Sequence, residues 1–201
     1  MYTPNQFKFN DNAEKIAFMK QYSFATIITI KDNIPIATQL PFFINDSSEK
    51  LILSSHFAVV NEQSSYIEAN TSLVIFNEPH AYISPVHYDK RESVPTWDYI
   101  AVHAYGKANV IVEEAAKLKA LEQMIQFYEK DYLQQWDSLP DKFKMGMMRG
   151  IVAFELEITD LQGQKKLSQN KTEKERHRIA EHLAKSEHTA EKDIADYIRK
   201  L

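Results

Sequence analysis

Two β-branched runs sit back to back near the start of the chain, "FATIITI" (Phe24 to Ile30) and "IPIATQLPFFI" (Ile34 to Ile44), with only "KDN" between them. A link this short leaves no room for a crossover, so the runs must pair as an antiparallel hairpin about a short Asp-Asn turn. More strand-like runs follow: "LILSSHF" (Leu51 to Phe57), "TSLVIFN" (Thr71 to Asn77), "AYISPV", which extends or follows it, and "IAVHAYGKANVIV". In "IVAFELEITDLQG", Val152, Phe154, Leu156 and Ile158 alternate with polar residues as in a half-buried strand. Helical spacing is seen after Asp11 (Ala13, Ile16, Ala17, Met19), across "AVVNEQSSYIEA", over Ala115 to Tyr132 and around Phe143 to Met148. Five or six strands, a covering helix and no regular strand-helix alternation predict a mainly β, α+β chain. The architecture expected is a small antiparallel barrel with helical additions.

Glycine narrows the function. The four glycines lie at 106, 146, 150 and 163, so neither a G-x-G-x-x-G turn nor a phosphate-cradling Walker loop can be built. Any phosphate must be held by side chains and ordinary backbone amides. With no cysteine, disulfides, thiolate zinc sites and thiol nucleophiles are all excluded. No apolar run approaches the roughly 20 residues needed to span a bilayer, and the start "MYTPNQFKFNDNAEK" lacks a signal-peptide core. A cytoplasmic, membrane-free protein is the expectation. Serines abound without a G-x-S-x-G elbow. His56, His80, His87 and His103 have no compact ligand spacing, so neither a triad nor a metal site is expected.

The last part of the chain differs. Thr172 and Glu175 form a capping box before Ile179 and Leu183, and a second helix carries Ile194, Ile198 and Leu201. The expected division is residues 1–170 as the barrel with its covering helices and 171–201 as a helical extension packed on the barrel or on a partner copy. From Lys165 onward 10 Lys and Arg face 7 Asp and Glu, a net of +3; the preceding residues have 14 against 21, a net of −7. Glu181, Glu187, Glu191, Asp193 and Asp196 interleave with the cations of the helix pair. That pattern opposes a phosphate-tracking surface, so direct DNA binding is not supported by charge.

Two ring-rich stretches stand out. In "VPTWDYIAVHAYG" a strand would put Tyr99, Ala101, His103 and Tyr105 on one face and Ile100, Val102 and Ala104 on the other. The first face is too polar for an apolar core. Rings with polar tips suit a pocket wall, a subunit interface or packing on the preceding loop, and Trp97, just outside the strand, could stack on a planar ligand. "PHAYISP" puts His80, Tyr82 and Ser84 on one face, and two such strands close in sequence would often be neighbours. "KKLSQNK" (Lys165 to Lys171) combines cations with Ser, Gln and Asn at a strand-to-helix junction, suiting either a phosphate or ring edge or a solvated helix cap.

"PHAYISP", "VPTWDYIAVHAYG" and "KLSQNK", in this order and with the opening "MYTP", resemble the PaiB family of FMN-binding negative transcriptional regulators, relatives of the flavin-binding split barrels. The likeness runs from the start to about Lys174. It implies an antiparallel split β-barrel of the FMN-binding type with C-terminal helices, acting as a homodimer that holds FMN at the dimer interface. Carried onto this chain, Thr38, Gln39 and Leu40 correspond to the ring-contacting segment, and Ser54, Ser55, His56 and Asn61 to the phosphate side. Lys166, Gln169 and Asn170 match the terminal motif, and Trp97 would lie near the open side of the ring. Three positions depart from the family pattern: Val59 replaces the Arg of H-x-A-R-A-N, Gln39 stands where His is common, and Asp98 replaces the Asn of V-P-T-W-N-Y. The resemblance implies a regulator; a flavin-dependent oxidoreductase of the split-barrel type is the alternative.

Overall fold

In the computed structural model, which describes residues 1–201, the first two strands turn on Asp32 and Asn33, whose φ angles of 51° and 63° are left-handed. Both central residues at positive φ make the twisted two-residue hairpin link that Asp and Asn tolerate best. β1 (Phe24–Lys31) and β2 (Ile34–Pro41) are then in register from Phe24 opposite Pro41 to Lys31 opposite Ile34. The remaining strands are β3 (Phe43–Asn45), β4 (Ile52–Ala58), β5 (Thr71–Phe76), β6 (His80–Ile83), β7 (Thr96–Val110) and β8 (Ile151–Lys166). They form one eight-stranded sheet in the order β2-β1-β5-β7-β8-β4-β3, with β6 added beside β7. Pairing is antiparallel between β1 and β2, β1 and β5, β3 and β4, β4 and β8, and β6 and β7. With six α-helices, the fold is α+β, as the sequence implies.

The chain divides into two compact units. One comprises residues 16–76 and 104–161. Its core is phenylalanine-rich: Phe57 stacks on Phe154 at 5.0 Å, and Phe42 meets Phe76 and Phe154 edge-on at 6.0 and 6.3 Å. All four rings are fully buried. Gly106 is required here, because a Cβ at that position would stand 2.3 Å from the Glu157 carbonyl oxygen on the neighbouring strand. The expected single helix from Ala115 to Tyr132 is in fact two, α2 (Glu114–Tyr128) and α3 (Tyr132–Ser138), separated where Glu129 turns to φ −153°. Asp141–Arg149 forms α4, slightly longer than the periodicity suggests. "AVVNEQSSYIEA" is not an α-helix: Asn61 caps a single 3-10 turn at Glu62–Ser65 instead.

The other unit comprises residues 1–15, 77–103 and 162–201. Here "AYISPV" supplies the separate strand β6, paired with β7 through His80 opposite Tyr99 and Tyr82 opposite Trp97. The two ring-rich stretches are therefore neighbours. Thr172 and Glu175 make the reciprocal capping box of α5 (Glu173–Leu183), and α5 packs against α6 (Thr189–Arg199) through Ile179, Leu183, Ile194 and Ile198, all buried. α6 also packs on β6. α1 (Asn12–Gln21) is capped by Asp11, whose carboxylate accepts from the Glu14 amide at 3.0 Å. Its buried residues are Lys15, Phe18 and Met19; Ala13 and Ala17 of the expected stripe are exposed. No helix is long and apolar enough to cross a membrane.

Candidate functional site

Alternation along β7 divides its side chains by face. Asp98, Ile100, Val102 and Ala104 are all fully buried, while Tyr99, His103 and Tyr105 are half-buried on the opposite face. On that second face the β6–β7 ribbon presents a ladder of rings. Trp97 and Tyr82 meet edge-on at 5.8 Å, and His80 lies 6.0 Å from Trp97. Tyr82 and Trp97 are about half exposed. Such rings offer flat apolar surface with polar tips, the chemistry of a stacking platform or an interface.

The buried face of the same ribbon carries a carboxylate. Asp98 accepts a 2.6 Å hydrogen bond from the Ser168 hydroxyl at one oxygen, and its other oxygen has no partner. Burial pushes its pKa up to about 6; the Ser168 bond and the nearby Lys166 and Lys171 ammoniums oppose the shift. Ser168 sits at φ 58°, held in the left-handed region at the corner of the "KLSQNK" turn. Lys166 donates to the Thr96 hydroxyl and, at 2.6 Å, to the Trp97 carbonyl. Gln169 spends both ends of its amide on the turn itself, accepting from the Leu167 N–H at 2.7 Å and donating to the Lys165 carbonyl. Asn170 is exposed, and the Lys171 ammonium lies 3.6 Å from the centre of the buried Tyr88 ring. Thus Trp97, Lys166, Gln169 and Asn170 do come together in this unit, with Lys166 and Gln169 already hydrogen-bonded within it. Nothing local in the sequence marks Tyr88, or the tie of Ser168 to a residue 70 positions away.

In the unit of residues 16–76 and 104–161, a second group forms around Gln63. Thr38 donates to the Gln63 side-chain oxygen at 2.7 Å, and Asn61 donates to the Thr38 hydroxyl at 3.1 Å while capping the Gln63 amide at 3.0 Å. Gln63 is fully buried and its amide nitrogen reaches the Ile27 and Ile36 carbonyls, so it clamps the 3-10 turn to the hairpin. Nothing in the spacing singled out Gln63. Ser55 donates to the Pro41 carbonyl at 2.7 Å; Ser54 and Leu40 are buried, and Gln39 is exposed. His56 is half-buried with an unpartnered Nδ1, and burial lowers its pKa, keeping the imidazole neutral at neutral pH. Val59 is exposed where a cation was the family expectation.

No group of three or more His, Asp or Glu side chains is placed to hold a metal ion. A cavity of about 390 Å³ lies between α5 and α6, lined by Glu173, Arg176, His177, Ala180, Ile198, Arg199 and Leu201. None of the candidate cofactor-binding residues lines it.

The chain has recognisable relatives. Residues 1–160 match the protein family described as "Putative FMN-binding domain". Over 199 residues the chain is 39% identical to "Protease synthase and sporulation protein PAI 2" of Bacillus subtilis (strain 168), an alignment spanning 98% of this chain and 95% of that protein. The uncharacterized protein AN0679 of Emericella nidulans is 28% identical over 200 residues, spanning 83% of this chain and 80% of its own. Two solved structures share the fold. The flavocytochrome Anf3 from Azotobacter vinelandii aligns with a TM-score of 0.61 at 13% identity, over 78% of this chain and 67% of that one. The FAD and heme binding protein from Mycobacterium smegmatis aligns with a TM-score of 0.63 at 12% identity, over 79% and 73%. On the family match and the near-full-length relative, the chain belongs to the PaiB family.

Proposed function

We propose that this protein is an FMN-binding regulator of the PaiB type that acts as a cytoplasmic homodimer. The observation that carries the reading is the family match over residues 1–160, which takes in Thr38, Gln39, Leu40, Ser54, Ser55, His56, Asn61 and Trp97. The residue chemistry fits a flavin. The exposed amide of Gln39, in the segment matched to the ring-contacting strand, is a group that a heteroaromatic ring edge can satisfy. In the other unit, the turn bearing Lys166 and Lys171 carries positive charge. Bound FMN would supply the electron chemistry, leaving the chain to orient the ring.

A chargeless sheet face supports the homodimer. Outward side chains of β1 are Phe24, Thr26, Ile28 and Ile30, and the β2 residues opposite them are Pro41, Gln39, Ala37 and Pro35. Leu73 and Ile75 of β5 continue the same face beside Ile28 and Thr26. Phe24 is 66% and Ile30 49% exposed. An exposed, uncharged and largely apolar face of this kind marks an interaction surface.

An FMN titration by visible absorbance and flavin fluorescence tests the reading, with Gln39→Ala and Lys166→Ala as variants. Saturable binding to the wild type, weakened in each variant, is the expected result. Absence of binding to the wild type would refute it. Oxidation of reduced nicotinamide by the loaded protein would favour the oxidoreductase alternative.

A further inference from the structure

Riboflavin and FMN differ only by a phosphate, which carries a charge of about −1.5 to −2 at neutral pH. A protein that selects FMN meets that group with cations or with free hydrogen-bond donors. In the family correspondence the phosphate falls to Ser54, Ser55, His56 and Asn61, and these residues have little left to give. The Ser55 hydroxyl is spent on the Pro41 carbonyl, and the Asn61 side chain on the Thr38 hydroxyl and the Gln63 amide. Ser54 is buried, and burial keeps the His56 imidazole neutral with its Nδ1 enclosed. No charged residue lies between Lys50 and Glu62; Val59 and Val60, 53% and 89% exposed, stand at the end of the segment instead. Neighbouring groups do not make up the deficit. Glu155, exposed on β8 opposite Ser54, adds negative charge, and Lys31 is paired with Glu62 at 2.9 Å. Arg149 comes close in the chain trace, because the Val59 amide donates to the Gly150 carbonyl at 2.8 Å. Its guanidinium turns back along α4, however, 3.9 Å from where a Cβ on Gly146 would stand, and as a last-turn cation it complements the helix's C-terminal carbonyls.

We infer that this protein recognises its flavin without the phosphate: the segment from Ser54 to Asn61 accepts an uncharged flavin tail, riboflavin binds at least as well as FMN, and Val59 is the residue that sets this selectivity. A phosphate brought against two valines, with a carboxylate on the same strand pair, gains no charge-assisted bond there and loses hydration. The phosphate of bound FMN therefore stays in solvent, and affinity comes from the ring and the ribityl chain. The inference rests on the function proposed above and widens its ligand class to flavins irrespective of phosphorylation.

Parallel titrations of the full chain with FMN and with riboflavin, followed by flavin fluorescence at neutral pH, test this. Riboflavin is expected to bind no more than about threefold more weakly than FMN. A larger preference for FMN would overturn the inference and leave the proposed function standing, whereas binding of neither flavin would bring down both. Val59 is exposed, so Val59→Arg leaves the core alone. In that variant FMN should bind about tenfold more tightly, the worth of one charge-assisted bond, with riboflavin unchanged. An unchanged FMN constant counts against the role of Val59. The phosphorus NMR resonance of FMN bound to the wild type gives a reading independent of affinity. Its second ionisation should keep the midpoint of free FMN, near pH 6. A lowered midpoint would reveal a cation on the phosphate and overturn the inference.

Discussion

The buried carboxylate of Asp98 links stability to pH in this chain. Asp98 has its pKa raised from 3.8 to about 6 in the fold, so the folded state favours its protonated form. The stability it contributes is fully present below its unfolded value and is lost as pH rises through about 6. The difference is on the order of 3 kcal/mol between pH 3 and pH 8. Asp98→Asn keeps the shape and removes the titration, so denaturant unfolding should show the variant gaining on the wild type from pH 5 to pH 8. Equal pH dependence in the two proteins would contradict this account. The sequence showed the departure from Asn at 98 but not its consequence. Whether a carboxylate points outward or into the interior depends on strand register, and here register puts Asp98 on the face of Ile100 and Val102.

Individual elements were legible to different degrees. The β1–β2 hairpin follows from two β-branched runs and a turn that Asp32 and Asn33 can make. The α5 capping box was readable because both of its partners lie within three residues. By contrast, the helix expected over "AVVNEQSSYIEA" gave way because Asn61 and Gln63 find better partners in Thr38 and the hairpin carbonyls than a helix would give them. Gly106 belongs at this scale too. Its φ is not positive; the requirement comes from the Glu157 carbonyl on the adjacent strand. Gly106→Ala should destabilise the protein by about 1–3 kcal/mol in chemical denaturation, as overpacked interiors do. An unchanged midpoint would show that β7 and β8 can separate without cost.

At the scale of the whole molecule, the uncharged β2-β1-β5 face carries a prediction about assembly. Ala37 is exposed there, so Ala37→Glu adds a charge without disturbing the core. The wild type is expected to sediment as a dimer and the variant as a monomer with an unchanged circular dichroism spectrum. A wild-type monomer, or a variant that stays dimeric, would remove this face from consideration. The split-barrel fold was readable because strand runs, turn residues and three multi-residue motifs are all local patterns in the chain. The candidate site was only partly so. Trp97, Lys166, Gln169 and Asn170 were identified and do gather, yet Thr96, Ser168 and Tyr88 complete that group through pairings far apart in sequence. Alone, the sequence determined which segments become strands and helices, which chemistries are excluded and which family the motifs belong to, because propensity, periodicity and capping act over a few residues. Only the tertiary structure decided that Gln39 remains free while Gln169 is consumed, and that Asp98 is buried with half its hydrogen-bonding capacity unmet. Those outcomes depend on which distant groups register and packing bring within hydrogen-bonding distance, about 3 Å, a separation no local pattern encodes.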